Sequence, residues 1–280
     1  MKRLLNALVM GLFCVVVNPL QASTLIKYGF DTQLSSTSYA DLSGNGRTVN
    51  FNRNVTKSSN YPFSASYPAL SGLDYSASTK YNAATGGTVA NVSGINLQTT
   101  NQFTMEGWVY LEGFANISGA QGGALWSLAS STGGTSVFTL GYNSSGTVTA
   151  SFNAQSQSGG TRNYTTSTTL SLNTWNHVAY VKTALAIQIY VNGVLVNTFS
   201  EAGITSRPLP TALGSVTIGG NIYGAFNDFR LSDTALTATE LGYNTPPFTI
   251  PEPGLSLTFI GAGMLGGVSL IRRRRARLQA

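Results

Sequence analysis

The chain has 280 residues, 42% of them hydrophobic and only 9% charged, with 16 basic side chains against 10 acidic ones and one cysteine. The basic excess suggests a polyanion partner, but seven of the basic residues lie in the two end segments, leaving nine basic and nine acidic residues between positions 23 and 250. A neutral body excludes an electrostatic case for nucleic acid, and a single cysteine excludes a disulfide framework.

The first elements are those of export. Lys2 and Arg3 precede an apolar run over residues 4–17, and "NPLQA" leads to the small residue Ala22. That is the layout of a secretory signal peptide over residues 1–22, with cleavage after Ala22. The alternative, an N-terminal anchor helix, is disfavoured by the shortness of the run. Cys14 follows Phe13, a poor fit to a lipoprotein site, so it leaves with the signal and the mature chain carries no cysteine.

The body, residues 23–245, is rich in Ser, Thr, Asn and Gly, with aromatics spread throughout. Residues 103–111 alternate Phe, Met, Gly, Val and Leu with Thr, Glu, Trp and Tyr, the period of a strand. "ALWSLAS" (124–130), "SVFTLGY" (136–142) and "TVTASFN" (147–153) follow between Gly- and Ser-rich turns. "TWNHVAYVKT" (174–183) is apolar on both faces, as expected of a central strand. In "IQIYVNGVLVNTF", Asn192-Gly193 predicts a type I′ hairpin turn, because both positions must adopt positive φ. "SVTIGG" (215–220) and "GAFNDFRLS" (224–232) read as two further strands. Thr237 and Glu240 then have capping-box spacing ahead of Leu241, which predicts one helical turn. Short strands with turns every 8–12 residues indicate an all-β sandwich.

The last segment, residues 246–280, begins with the proline-broken linker after "YNT" and passes Pro251, Glu252 and Pro253. Residues 254–271 are eighteen uncharged positions. As a helix they would be about 27 Å long, close to a bilayer's hydrocarbon thickness. Five arginines follow within six positions, and such clusters stay on the cytoplasmic side. The expectation is a C-terminal transmembrane helix with the body outside the cytoplasmic membrane.

Two resemblances add to this. "PEP" at 251–253, the apolar helix and the arginine cluster resemble the PEP-CTERM sorting domain of Gram-negative bacteria that make exopolysaccharide. The resemblance implies that exosortase recognises Pro251, Glu252 and Pro253 and removes the tail. Ile250 and Gly254 depart from the residues usual on either side of that motif. "TWNHVAYVKTALAIQIYVNGVLV", "YGFD" (28–31) with "DLSGNG" (41–46), and "GAFNDFRLSDTALTATEL" (224–241) resemble, in order, laminin-G-like domains of the concanavalin A-like jelly-roll group. That implies a concanavalin A-like jelly-roll β-sandwich over most of the body, with residues 52–100 the least matched stretch.

Three chemistries are open to such a body. The glucanases of this fold group carry a Glu-x-Asp-x-x-Glu strand, which is absent here. Glu106 and Glu112 share a strand face but sit about 20 Å apart, too far for paired carboxylate work. The lone His177 alternates with Trp175 and Ala179, the setting of a hydrogen-bonded core histidine more than of a base, so no enzyme and no catalytic residue is expected. The laminin-G-like resemblance implies a structural calcium ion where the opening loop meets the closing strand, with Asp31, Asp41, Asn45 and Asp228 as oxygen donors. Ordinary turn chemistry is the alternative: Asp41 capping its loop, and Asp228 pairing with Arg230 or Arg47. Sugars bound at a loop rim would stack on tyrosines, for which Tyr61, Tyr67, Tyr75, Tyr81, Tyr142, Tyr164 and Tyr223 are candidates. The expected function is an exported, non-enzymatic envelope or matrix protein that adheres to carbohydrate, the cell's own exopolysaccharide above all. A structural surface protein making protein–protein contacts without a sugar site is the alternative.

Overall fold

The computed structural model describes residues 23–30, 33–51, 56–58, 72–74, 86–114, 122–131, 136–153, 161–200, 204, 209–220 and 222–243. The signal segment, Asp31 and everything beyond Tyr243, including residues 251–253 and 254–271, lie outside them. Among the described residues no helix is long and apolar enough to cross a membrane.

The described strands are β1 (Thr24–Tyr28), β2 (Gln33–Ser35), β3 (Ser38–Tyr39), β4 (Val49–Phe51), β5 (Thr56–Ser58), β6 (Gly72–Asp74), β7 (Gly87–Val89), β8 (Phe103–Gly113), β9 (Gly123–Ser130), β10 (Ser136–Tyr142), β11 (Thr147–Asn153), β12 (Thr161–Thr169), β13 (Trp175–Lys182), β14 (Ile187–Val191), β15 (Val194–Phe199), β16 (Leu213–Gly220) and β17 (Tyr223–Ser232). They form two antiparallel sheets. One runs β15-β14-β13-β8-β17-β6-β5, with β1 also on β17; the other runs β12-β11-β10-β9-β16-β7-β4-β3-β2. The all-β sandwich expected from the sequence is the fold observed.

The alternation of side chains explains which strand does what. Along β11, Val148, Ala150 and Phe152 point inward while Thr147, Thr149 and Ser151 are half-buried, the pattern of a strand with one wet face. The inner faces meet in an aromatic core: Phe103 and Phe138 at 4.6 Å, Phe138 stacked on Phe152 at 5.0 Å, and Phe103 stacked on Tyr180 at 5.6 Å. Burial raises the Tyr180 phenol well above its ordinary pKa. Lys182, on the same face as Tyr180, is also fully buried. Its ammonium donates to the Thr183 carbonyl, and burial pushes its pKa down to about 8.

β13 lies between β8 and β14, the central position its two apolar faces predicted. The Asn192-Gly193 turn joins β14 to β15 with φ of 49° and 76°, as the type I′ reading requires. Glycine is needed at 193 on a second count, since a Cβ there would come within 2.7 Å of the Tyr243 ring. β12 was not expected. Its sequence, TRNYTTSTT, buries only Tyr164 and Thr166, because it is the edge strand of its sheet and has little to bury. An edge that needs few apolar residues leaves little apolar period to read.

Candidate functional site

The most elaborate arrangement of side chains lies on the outer face of the first sheet, where β8 and β13 pair. The register sets Trp175 opposite Tyr110, His177 opposite Trp108, and Ala179 opposite Glu106. Because side chains alternate, all six residues face outward together, away from the main core.

At one end of this face a closing segment, residues 233–243, crosses the sheet. Leu236 and Leu241 pack on Ala179, Val181 and Tyr190 as a second, small core. Half of the predicted capping box forms: Glu240 accepts hydrogen bonds from both the backbone N–H and the hydroxyl of Thr237, at 2.8 and 2.7 Å, while the Glu240 N–H donates to the Thr237 carbonyl at 2.9 Å. These bonds hold the Glu240 carboxyl below its usual pKa. Beneath the segment lies Glu106, 1% exposed. Its Oε1 accepts from Arg230 Nε at 2.6 Å; its Oε2 accepts from the Gly242 N–H at 2.9 Å and lies 3.2 Å from His177 Nε2. Arg230 also donates to the Glu240 carbonyl at 2.8 Å. Burial by itself would raise the Glu106 pKa; the His177 hydrogen bond, the Arg230 charge and the Gly242 N–H outweigh it and hold the carboxyl below its ordinary value.

This cluster is a clamp. Both carboxylate oxygens are occupied, and the group is sealed from solvent, so Glu106 has no free face to offer a substrate. His177 is the buried, hydrogen-bonded histidine expected, and its Nδ1 has no hydrogen-bond partner. The sequence reading noted Glu106, His177 and Arg230 separately and missed that they converge. The available signal was a glutamate in the middle of a strand apolar on both sides.

Aromatic rings continue the face. Tyr243 stacks on Trp108 at 5.6 Å and 25°, and Trp108 meets His177 edge-on at 5.2 Å. Beyond them Tyr110 and Trp175 lie 5.6 Å apart with a 56° tilt, both half-buried. Glu112 follows where the pairing of β8 with β17 shifts register, and is also half-buried.

The predicted ion site is assembled only in part. Residues 41–47 run along the free edge of β1. Asp41 Oδ1 accepts from the Lys27 and Ser43 N–H groups at 3.1 and 2.9 Å; Oδ2 accepts from the Ser43 hydroxyl and the Arg47 N–H at 2.7 and 3.0 Å. The Asn45 amide nitrogen donates to the carbonyls of Thr24 and Leu25, both at 3.1 Å. This loop therefore supplies the partners that an unpaired strand edge lacks. Asp228 sits at a bulge in β17, with φ of 47°, on the other side of β1. The two carboxylate-bearing backbones are thus about two strand spacings, roughly 10 Å, apart. No group of three His, Cys, Asp or Glu side chains able to share an ion occurs among the described residues. Arg230 holds Glu106, and the Arg47 guanidinium donates to the Leu25 carbonyl at 2.8 Å.

Two of the tyrosines expected at a loop rim are core residues instead. Tyr142 ends β10 at 2% exposed, and Tyr164 stacks on Phe199 at 4.6 Å, closing the two edge strands β12 and β15 over the core. Each sits in a strand whose inward positions were filled by alternation. The side chains of Tyr61, Tyr67, Tyr75, Tyr81 and Tyr223 lie outside those described.

Comparison with known proteins agrees with this architecture. The binding domain of Botulinum neurotoxin DC in complex with SialylT is 15% identical, with TM-score 0.54, covering 78% of this chain and 50% of that one. The binding domain of Paraclostridial Mosquitocidal Protein 1 gives the same values. A Trypanosoma rangeli sialidase is 12% identical, with TM-score 0.54, covering 78% of this chain and 31% of that one. The chain thus spans half or less of the length of these structures, and at such identities the likeness is one of fold. No curated protein matches. The Laminin_G_3 model, described as the concanavalin A-like lectin/glucanases superfamily, matches residues 83–242, more than half of the sequence. The chain belongs to that laminin-G-like family.

Proposed function

We propose that this protein is an exported, non-enzymatic carbohydrate-binding module of the cell envelope or extracellular matrix, and that its sugar site is the Tyr110–Trp175 pair. The observation that carries the reading is that pair. Two large rings, fixed in register on adjacent central strands and half-buried, stand on the outward face that the closing segment crosses at its other end. Aromatic faces of this kind receive the C–H face of a sugar ring at small entropic cost, because strands β8 and β13 already hold them in place. The solved structures of like fold include binding domains, one named for two ganglioside molecules, and these support the reading by analogy of fold alone. The clamp on Glu106 supports a binding role over a catalytic one.

The location belongs to the same proposal. Residues 1–22 direct export; residues 246–280, with Pro251, Glu252 and Pro253, are the exosortase signal; and residues 254–271 hold the chain in the membrane until processing. The exopolysaccharide of the producing cell is then the glycan at hand. Calcium at Asp31, Asp41, Asn45 and Asp228 remains an accessory proposal. The described donors fit it incompletely, since both oxygens of Asp41 are already hydrogen-bonded and Asn45 presents its amide nitrogen to two carbonyls.

The test is retention of the full-length protein, in mild detergent, on immobilised exopolysaccharide from the producing cells. Wild type should be retained saturably, and Trp175→Ala, if its thermal unfolding is close to wild type, should lose most of that retention. Equal retention of the two proteins would remove the ring pair as the site. No retention of wild type, with concentration-dependent self-association instead, would favour a structural role; the exposed Val194 and Leu195 on edge strand β15, at 63% and 45%, would then be the surface to mutate.

A further inference from the structure

Resting on that reading, we infer that the sugar site continues under Tyr243: Trp108 is the floor of a second, covered subsite for a hydroxyl-bearing sugar ring, and Tyr243 is the plug that a bound glycan displaces. The sheet places the parts. β8 carries Trp108 two positions from Tyr110, and β13 carries His177 two positions from Trp175, about 7 Å along the same outward face. On the other side of β8 the register runs in step from Ala225 opposite Tyr110, through Phe226 opposite Val109, to Asn227 opposite Trp108. Phe226 belongs to the main core, so Asn227 takes the outward face beside Trp108.

Trp108 is thus flanked, one strand to each side, by two polar side chains that are each 1% exposed. The Asn227 Oδ1 accepts from the Asp228 N–H at 2.7 Å, which leaves Nδ2 as a donor. The His177 Nε2 is given to Glu106, which leaves Nδ1 as an acceptor on the neutral ring. Among the described residues neither of these two nitrogens has a hydrogen-bond partner. Buried polar atoms in that state are uncommon and cost free energy. The ring over Trp108 is that of Tyr243, half-buried at the surface, and it stacks on the indole without satisfying either nitrogen. A sugar in its place keeps a face on the indole and brings hydroxyls, one to donate to His177 Nδ1 and one to accept from Asn227 Nδ2. The exchange is ring for ring, with two hydrogen bonds gained. Glu106 holds the chain one residue earlier, at the Gly242 N–H, so the Tyr243 ring turns aside while the closing segment stays in place.

The experiment measures affinity of the full-length protein, in mild detergent, for size-sorted fragments of the producing cells' exopolysaccharide, from single sugars to short oligosaccharides. The proteins are wild type, Trp175→Ala, Tyr243→Ala, Tyr243→Phe and Asn227→Leu. Tyr243→Ala should bind the oligosaccharides about twofold to tenfold more tightly than wild type, the worth of one aromatic stack no longer displaced. Tyr243→Phe keeps the plug and should stay with wild type. Asn227→Leu should weaken oligosaccharide binding by about fivefold or more. Unchanged or weaker binding by a folded Tyr243→Ala, with Trp175→Ala still deficient, would overturn the inference and leave the Tyr110–Trp175 site standing. Were Tyr243→Ala to unfold, undiminished binding by Asn227→Leu would overturn it in the same way. If Trp175→Ala binds as wild type does and Tyr243→Ala binds more tightly, the covered subsite stands and the ring pair falls. Binding of no fragment would overturn the inference together with the reading beneath it.

Discussion

Two short segments each close over a strand, and each is organised around one carboxylate, yet by opposite means. The opening loop, residues 41–47, wraps Asp41, which accepts four hydrogen bonds from three backbone N–H groups and one hydroxyl, all neutral, at a half-exposed position. The closing segment, residues 233–243, covers Glu106, which is sealed from water and held by Arg230, His177 and the Gly242 N–H. The difference follows from desolvation. A half-exposed carboxylate keeps part of its hydration and needs only dipoles, whereas a buried one is tolerated only with cationic or strongly donating partners on both oxygens. The exposed arrangement fixes a loop; the buried one ties a segment to three strand positions at once, and its failure is correspondingly worse.

The sharpest way to break the comparison is Glu106→Ala. It strands Arg230 and His177 beneath the closing segment, and loss of one partner from a buried charge cluster costs about 3–5 kcal/mol. Urea unfolding should show that loss, with Trp108 fluorescence changing as Tyr243 lifts. A cost below about 1 kcal/mol, the scale of a single exposed hydrogen bond, would mean that the cluster does not hold the segment.

Acid sharpens the same point. Glu106 in the fold titrates below its ordinary value of 4.5, so its contribution is complete above that value and is lost as pH falls through the lower, folded one. Stability followed from pH 7 down to pH 3 should fall more steeply in wild type than in Glu106→Gln. Parallel curves would assign the acid sensitivity to other carboxylates. Lys182 gives a slope of the same sign in the alkaline range: its pKa is lowered from 10.5 to about 8, so the unfolded chain holds the proton more tightly and stability should rise with pH between those values. Lys182→Met should flatten that rise.

The smallest of these effects belongs to the opening loop. Asp41→Ala removes an acceptor from groups that water can partly reach, and about 1–2 kcal/mol is expected in the same urea assay. Calcium enters here. If an ion uses Asp41, added calcium should raise the wild-type melting temperature and leave Asp41→Ala unmoved; equal melting with calcium and with chelator would leave the loop as a hydrogen-bonded edge cover alone.

Where the sequence was legible, the reason was local. The period-two runs of β8, β10, β11 and β13 reflect inward packing on a shared core, and they are visible wherever a strand is central enough to need apolar residues. The Asn192-Gly193 turn and the Thr237–Glu240 box were legible because each is completed within two to four residues by its own backbone. β12 was not, because an edge strand of threonines carries no such period. Tyr142 and Tyr164 were misplaced for a related reason: near a turn, a tyrosine's residue type does not say whether it packs inward, and their neighbours in the fold decided that.

The sequence by itself therefore determined a neutral, cysteine-poor β-body, the order of its central strands along the chain, and its tight turns. Only the tertiary structure decided which of its charges meet. Glu106, His177 and Arg230 are separated by 71 and 53 positions and converge because β8 pairs with β13 on one side and β17 on the other. The same pairing sets Tyr110 beside Trp175. Local propensity acts over a few residues; a site made of facing side chains depends on sheet register, which the whole core must fix at once.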